Sequence, residues 1–301
     1  MQYALFDKRI EGFDARPTIS RLRHQPFKQQ LLKWIGNKQR FAHEIADFFP
    51  TTINTYYEPF LGSGAVLGTV APARAVGSDV FAPLVGIWQA LKSDPEKLVG
   101  WYAERLELVE KIGKLDAYNQ ILASYNAAPS AADFVFLTRS CYGGVVRFRK
   151  DGYMSTPCGP HTPVSAASFA KRVKEWSERV RGSEFKLLDY REAMSHAGAG
   201  DVVYCDPPYT HTQAILYGAQ SFSLADLMKA IGEAKDRGAH VILSIDGTKK
   251  TGMVLCDIAI PDGLFEREVS VNVGRSMLRR FQREGETLED DVVSDRLLMT
   301  Y

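Results

Sequence analysis

The chain has 301 residues, 45% hydrophobic and 24% charged, with 24 Gly and 14 Pro. This is ordinary globular usage, which excludes a collagen-like, low-complexity or disordered protein and fits one large domain or two of common size. No run approaches the 18 or more apolar residues of a membrane helix, and the opening MQYALFDKRIEGFD is too charged for a signal-peptide core, so a cytoplasmic protein is expected.

The first thirty residues show no period and read as an arm or loosely packed lead-in. TYYEPFLGSGAV reads as a strand over 55–58 that breaks at Pro59 into a glycine turn and opens a helix near Gly64. RAVGSD at 74–79 fits a second strand. From Ser93 the pattern turns helical, with Ser93 and Glu96 as a capping box around Pro95. Further helices are expected at 114–125, 130–139 and 166–180. Between the last two lies CYGGVVRFRKDGYMSTPCGPHTP, too rich in Gly and Pro for a helix and long for a bare connection, as functional loops often are. Strands then follow at 185–189 and 201–206, a helix over 223–237 stopped by Gly238, a strand at 240–246, and two closing strands in FEREVSVNV and RLLMTY. Strands separated by helices predict a doubly wound, mostly parallel α/β sheet, with the stretch from about 80 to 186 as a helical insertion.

Net charge is only +1, from 37 basic and 36 acidic residues, yet it is unevenly spread. Residues 1–30 carry six Lys/Arg against three acids, residues 139–150 and 275–283 each carry four and no acid, and six acids follow between Glu284 and Asp295; any one such stretch is an ordinary solvated surface, and the three basic ones together are a footprint for a polyanion. Cys141, Cys158, Cys205 and Cys256 form no CxxC pair and the six histidines no ligand motif, so free thiols and no metal are expected.

Ligands of open α/β sheets bind beyond the carboxyl ends of strands, and two motifs fall there. Phe60-Leu61-Gly62-Ser63-Gly64 follows the first strand, but Leu67 stands where a dinucleotide fingerprint needs its third glycine. Asp79 ends the second strand, either a ribose acceptor or a helix cap. The sharper signal is Asp206-Pro207-Pro208-Tyr209, a tetrapeptide that average usage gives by chance in about one chain in several hundred. Two prolines remove two backbone donors, leaving the Asp206 carboxylate and the Pro207 carbonyl as acceptors for an exocyclic amine and Tyr209 as a face for a planar base.

On these residues the chain resembles the α-group of amino-directed DNA adenine methyltransferases, the Dam-type enzymes. Lys33-Trp34-Ile35-Gly36-Asn37-Lys38 is similar to the family's KWxGxK element, Glu58-Pro59-Phe60-Leu61-Gly62-Ser63-Gly64 to its cofactor loop, Asp79-Val80 to its ribose-binding acid, and Leu188-Asp189-Tyr190 to the segment beside the cofactor's adenine. Asp206-Pro207-Pro208-Tyr209 is similar to its catalytic motif. The resemblance implies a Rossmann-like methyltransferase fold, S-adenosyl-L-methionine as cofactor, and a discontinuous catalytic domain of 1–79 and 187–301 around a target-recognition insertion at 80–186. It also implies double-stranded DNA as partner, contacted by Arg139, Tyr142, Arg147, Arg149 and Lys150, and leaves open whether a cognate restriction endonuclease is a further partner. The insertion departs from the family pattern at Thr138 and Gly143, where Asn is usual.

The expected reaction is transfer of a methyl group to the exocyclic N6 of an adenine flipped out of the duplex. Three readings stay open beside it: a cytosine-N4 enzyme on the same scaffold, an RNA or protein-glutamine methyltransferase, and a catalytically silent DNA-binding subunit of a modification complex. Pro157-Cys158 echoes the nucleophile dipeptide of cytosine 5-position enzymes but has no Glu-Asn-Val partner.

Overall fold

Short, mostly apolar runs at 56–58, 202–205 and 241–245 are too brief for helices and buried on both faces, the signature of central parallel strands. A computed structural model describes residues 24–34, 36–208, 222–246, 248–249, 254–255, 260–275 and 292–301. In it β1 (Tyr56–Glu58) pairs in parallel with β2 (Ala75–Asp79) on one side and β4 (Val202–Cys205) on the other. β3 (Ser183–Leu187) extends the sheet beyond β2, and β5 (His240–Asp246) lies beyond β4. The chain closes with two antiparallel strands, β8 (Arg267–Arg275) and β9 (Val292–Met299), in the order β3-β2-β1-β4-β5-β9-β8. A separate two-stranded ribbon joins β6 (Thr248–Lys249) to β7 (Val254–Leu255).

Alternation along these strands divides the core. Tyr56, Val202, Tyr204 and Ile242 face one layer of side chains, whereas Tyr57, Val203, Cys205, Val241 and Leu243 face the other. The second face is covered by α8 (Tyr190–Ser195) and α9 (Leu224–Asp236). The first is covered by α1 (Ala42–Ala46), α2 (Ala65–Val70), α3 (Ala82–Ser93) and α7 (Ala166–Arg179). Helices on both faces of a mostly parallel sheet make the doubly wound architecture. No helix among the described residues is long and apolar enough to cross a membrane.

Three features differ from the sequence reading. The lead-in is docked rather than loose from residue 24: Phe27, Leu31 and Leu32 are buried, Phe27 packs on Trp176 at 5.1 Å, and the Trp176 Nε1 donates to the Gln29 carbonyl. Side-chain to backbone bonds hold it, so it carries no helix or strand period. The helix start expected at Ser93 is a junction: Ser93 Oγ donates back to the Gln89 carbonyl, and Asp94 caps α4 (Pro95–Ile112) by accepting from Lys97 N. The boundary expected at 186/187 falls inside β3, whose five residues pair with β2, and α3 binds it through Gln89 Nε2 to the Phe185 carbonyl. The inserted helices beyond that frame are α4, α5 (Lys114–Ala127) and α6 (Ala131–Ser140).

α6 is buried along nearly its whole length, which requires its charged groups to be paired. Asp133 takes the Arg105 guanidinium at 2.7 Å and the Ser124 hydroxyl at 2.9 Å. The glycine-rich stretch after α6 forms a 3-10 turn at Tyr142–Gly144 and then a hairpin, with Phe148 opposite Met154 and Gly152 in the left-handed region at φ +83°. Asn126 bonds both the N–H and the carbonyl of Met154, bolting the base of this hairpin to α5.

Candidate active site

In the strand order the connections leave β1 in one direction and β4 in the other, so the crevice between the ends of β1 and β4 is the switch point where ligands bind. The glycine loop leaves one of these ends and Asp206-Pro207-Pro208 the other, and one pocket joins them.

The loop turns sharply because Gly62 and Gly64 sit at φ +46° and +59°. A Cβ on Gly62 would meet the Trp34 indole at 3.0 Å, and one on Gly64 would meet Trp88 at 2.9 Å, so both positions require glycine twice over. Asp79 ties the loop down, its Oδ2 accepting from Gly62 N at 3.1 Å and its Oδ1 from Phe81 N at 3.1 Å. Burial pushes the Asp79 carboxyl up to about 6. Trp88 holds the other side, donating from Nε1 to the Gly62 carbonyl at 3.1 Å.

Glu58, at the end of β1, is buried at 3% exposure. Its Oε2 accepts from Tyr56 OH at 2.7 Å and from Leu67 N at 2.8 Å. Burial outweighs both bonds and raises its carboxyl to about 8. Across the pocket the Lys38 ammonium lies 3.1 Å from Asp206 Oδ1 and 3.0 Å from Asp295 Oδ2. Phe60 stacks on Tyr190 at 5.1 Å, with Phe222 edge-on to Phe60 at 5.9 Å, giving the pocket an aromatic wall.

Of the expected cofactor residues, Trp34, Lys38, Glu58, Pro59, Phe60 and Gly62 line this pocket, as do Ser63, Asp79, Val80, Asp189, Tyr190 and Asp206. Gly64 lies beneath it against Trp88, and Lys33 turns to the insertion, packing its Cβ on Gly144. Pro207 and Pro208 line the pocket; Tyr209 lies outside the described residues. Sequence reasoning missed Trp88, Phe222 and Asp295. Trp88 was signalled by the apolar spacing of Leu84, Ile87, Trp88 and Leu91 behind a helix-opening proline.

The expected polyanion surface divides. Arg147, Arg149, Lys150 and Tyr142 are exposed on the hairpin and the turn before it, with Arg149 stacked over Tyr153 at 4.6 Å. Arg139 is not on that surface. It is 6% exposed, and its Nη1 donates to the carbonyls of Gln30 and Leu31 at 3.1 and 2.7 Å, so its charge is spent on docking the lead-in. The 275–283 patch falls outside the described side chains. Cys141 and Cys205 are buried, and burial pushes the Cys141 thiol up to about 12, which makes it a poor nucleophile. Among the described residues no group of His, Cys, Asp or Glu could hold a metal ion.

Residues 34–261, from Trp34 of the pocket past its last wall, match the family model of the D12 class N6 adenine-specific DNA methyltransferases. The chain belongs to this family. Relatives include the DNA adenine methylases of Serratia marcescens, 28% identical over 204 residues (65% of this chain and 73% of that protein), and of Haemophilus influenzae, 26% identical over 270 residues (84% and 90%). A third, from Vibrio cholerae serotype O1, is 26% identical over 240 residues, 74% of this chain and 83% of that protein. The protein is thus a site-specific DNA adenine methyltransferase.

Proposed function

We propose that this crevice takes S-adenosyl-L-methionine on the β1 side and a flipped adenine on the β4 side. The single observation that carries the reading is the buried Glu58 carboxyl lining the same pocket as Asp206, Pro207 and Pro208. The residues present fit the cofactor. Glu58 Oε1 is left to take an ammonium once Oε2 is filled by Tyr56 and Leu67; the glycine loop offers close backbone approach; Asp79 stands at the end of β2 for ribose hydroxyls; and the Phe60, Tyr190 and Phe222 rings offer apolar faces. When bound, this cofactor supplies an electrophilic methyl group on a sulfonium.

The protein's own part is positioning. The lone pair on adenine N6 is delocalised into the ring, and hydrogen bonds from the amine to Asp206 and the Pro207 carbonyl turn it toward the methyl group. No thiol takes part. Taking the base from the duplex costs a few kcal/mol, and stacking on Tyr209 returns about 1 to 3 kcal/mol of it.

DNA lies along the insertion's hairpin. Its Phe148 points inward onto Phe81 at 5.4 Å and lines the pocket, so alternation sends Arg147 and Arg149 to the opposite, solvent side. The DNA-holding element and the reaction pocket thereby share one aromatic contact. A relative from Lactococcus lactis subsp. cremoris named a Type II methyltransferase, 25% identical over 232 residues, supports a cognate restriction endonuclease as a partner in the cell.

The DNA placement is tested by binding at several salt concentrations. Arg147→Ala and Arg149→Ala should each lower the slope of log affinity against log salt by about one if they hold phosphates, or cost about 1 to 3 kcal/mol on the cognate site alone if either reads a base. Arg139→Ala should instead destabilise the fold by about 2 to 3 kcal/mol through lost charged hydrogen bonds, read as a lower melting temperature, and leave the salt slope unchanged. Unaltered salt slope and site preference in both hairpin variants would remove the hairpin from the DNA interface.

A further inference from the structure

We propose that Asp295 is a positioning residue for methyl transfer, acting through Lys38 on Asp206. The proposal rests on Asp206 as acceptor of the target amine. Asp295 stands in β9 among Leu297, Leu298 and Met299, all in the core, and is itself 4% exposed. Neither the ladder nor the packing of β9 needs a carboxylate there, and a buried one is a cost unless paired. Its partner is the Lys38 ammonium at 3.0 Å, itself 5% exposed and 3.1 Å from Asp206 Oδ1.

Topology brings the three together. β9 runs antiparallel to β5, and Asp295 pairs with Asp246 at the carboxyl end of β5, the same edge of the sheet on which Asp206 follows β4. The lysine holds Asp206 through Oδ1, in the pocket that the amine would enter. A buried ammonium with Asp206 as its only partner would draw that carboxylate's electron density wholly to itself and weaken it as an acceptor. Sharing the ammonium with Asp295 keeps Asp206 fixed in orientation and a strong acceptor.

The test uses the full-length enzyme, methyl-labelled S-adenosyl-L-methionine and unmethylated genomic DNA. Asp295→Asn should lower the single-turnover transfer rate about tenfold or more while the dissociation constants for cofactor and DNA stay within about twofold, a rate loss without a binding loss. Asp295→Glu, which keeps the charge, should fall only about threefold. In a Lys38→Gln background the Asp295→Asn change should add nothing further, because its path to Asp206 is already cut. A wild-type rate in Asp295→Asn, a rate loss that adds fully to that of Lys38→Gln, or a loss that appears in either dissociation constant overturns the proposal. Should Asp295→Asn fail to fold, Asp295→Glu carries the test, and a wild-type rate there overturns it. Asp206→Ala is measured alongside: an active Asp206→Ala enzyme overturns the catalytic reading itself, whereas an inactive one beside an unaffected Asp295→Asn overturns this inference alone.

Discussion

Asp206→Ala should abolish methyl transfer, by a factor on the order of 10²–10³ or more, while cofactor affinity stays within a few-fold. In the proposed arrangement the carboxylate acts on the amine of the target base, where orientation of the lone pair decides the barrier. Its removal does not strip the pocket of cofactor groups, since Glu58, Asp79 and the glycine loop are held by bonds of their own. Lys38 keeps Asp295 as a partner at 3.0 Å, so the variant is not left with an unpaired buried cation. Single-turnover transfer and cofactor titration on the same preparation check the two halves. Full activity would remove Asp206 from the chemistry, and a parallel collapse of cofactor affinity would make it a cofactor ligand first.

The second large effect is on cofactor binding and its pH dependence. Burial holds the proton on Glu58 up to about 8, so below that pH the empty pocket presents a neutral acid. An ammonium ligand favours the carboxylate, and binding below pH 8 therefore expels a proton. Affinity should rise as pH climbs toward 8, at most about tenfold per unit, and fall above it as the ligand's own α-amino group, ordinarily near 7.7 to 8.0, loses its proton. Glu58→Gln should bind about tenfold or more weakly at pH 8, the worth of a charge-assisted hydrogen bond, and lose the rise on the acid side. Stability moves oppositely. The unfolded chain ionises this glutamate from about 4.3, whereas the folded one holds its proton to about 8, so the empty enzyme loses stability across that window as pH rises. Glu58→Gln removes this loss. Calorimetric titration from pH 6 to 9 checks the binding curve, and an unchanged curve in the variant would place the cofactor's ammonium elsewhere.

The parts legible in the sequence are those whose chemistry is local. Asp206-Pro207-Pro208 and Gly62-Ser63-Gly64 each state their backbone needs within a few residues, and the alternation of strands and helices around them fixes which end of the sheet they occupy. Asp295 was illegible for the opposite reason: it ends an acidic run from Glu284 that reads as solvated surface, and only the antiparallel return of β9 beside β5 brings it to Lys38. Arg139 misled because a cation in a basic stretch reads as exposed, while the carbonyls that hold it, on Gln30 and Leu31, lie more than a hundred residues away with no charge to announce them. The strand expected at 185–189 begins two residues earlier, at Ser183, because β3, an edge strand with the exposed residues Glu184, Lys186 and Leu187, lacks the apolar run of the central strands.

The central claim, adenine-N6 methylation carried out at the Asp206 turn, is tested most directly by modified-base sequencing of native genomic DNA from cells producing the wild-type enzyme and, separately, Asp206→Ala. N6-methyladenine at the copies of one short recognition sequence, present with the wild type and lost with the variant, is the predicted result. N4-methylcytosine in its place, or adenine methylation that survives the Asp206 change, would contradict it.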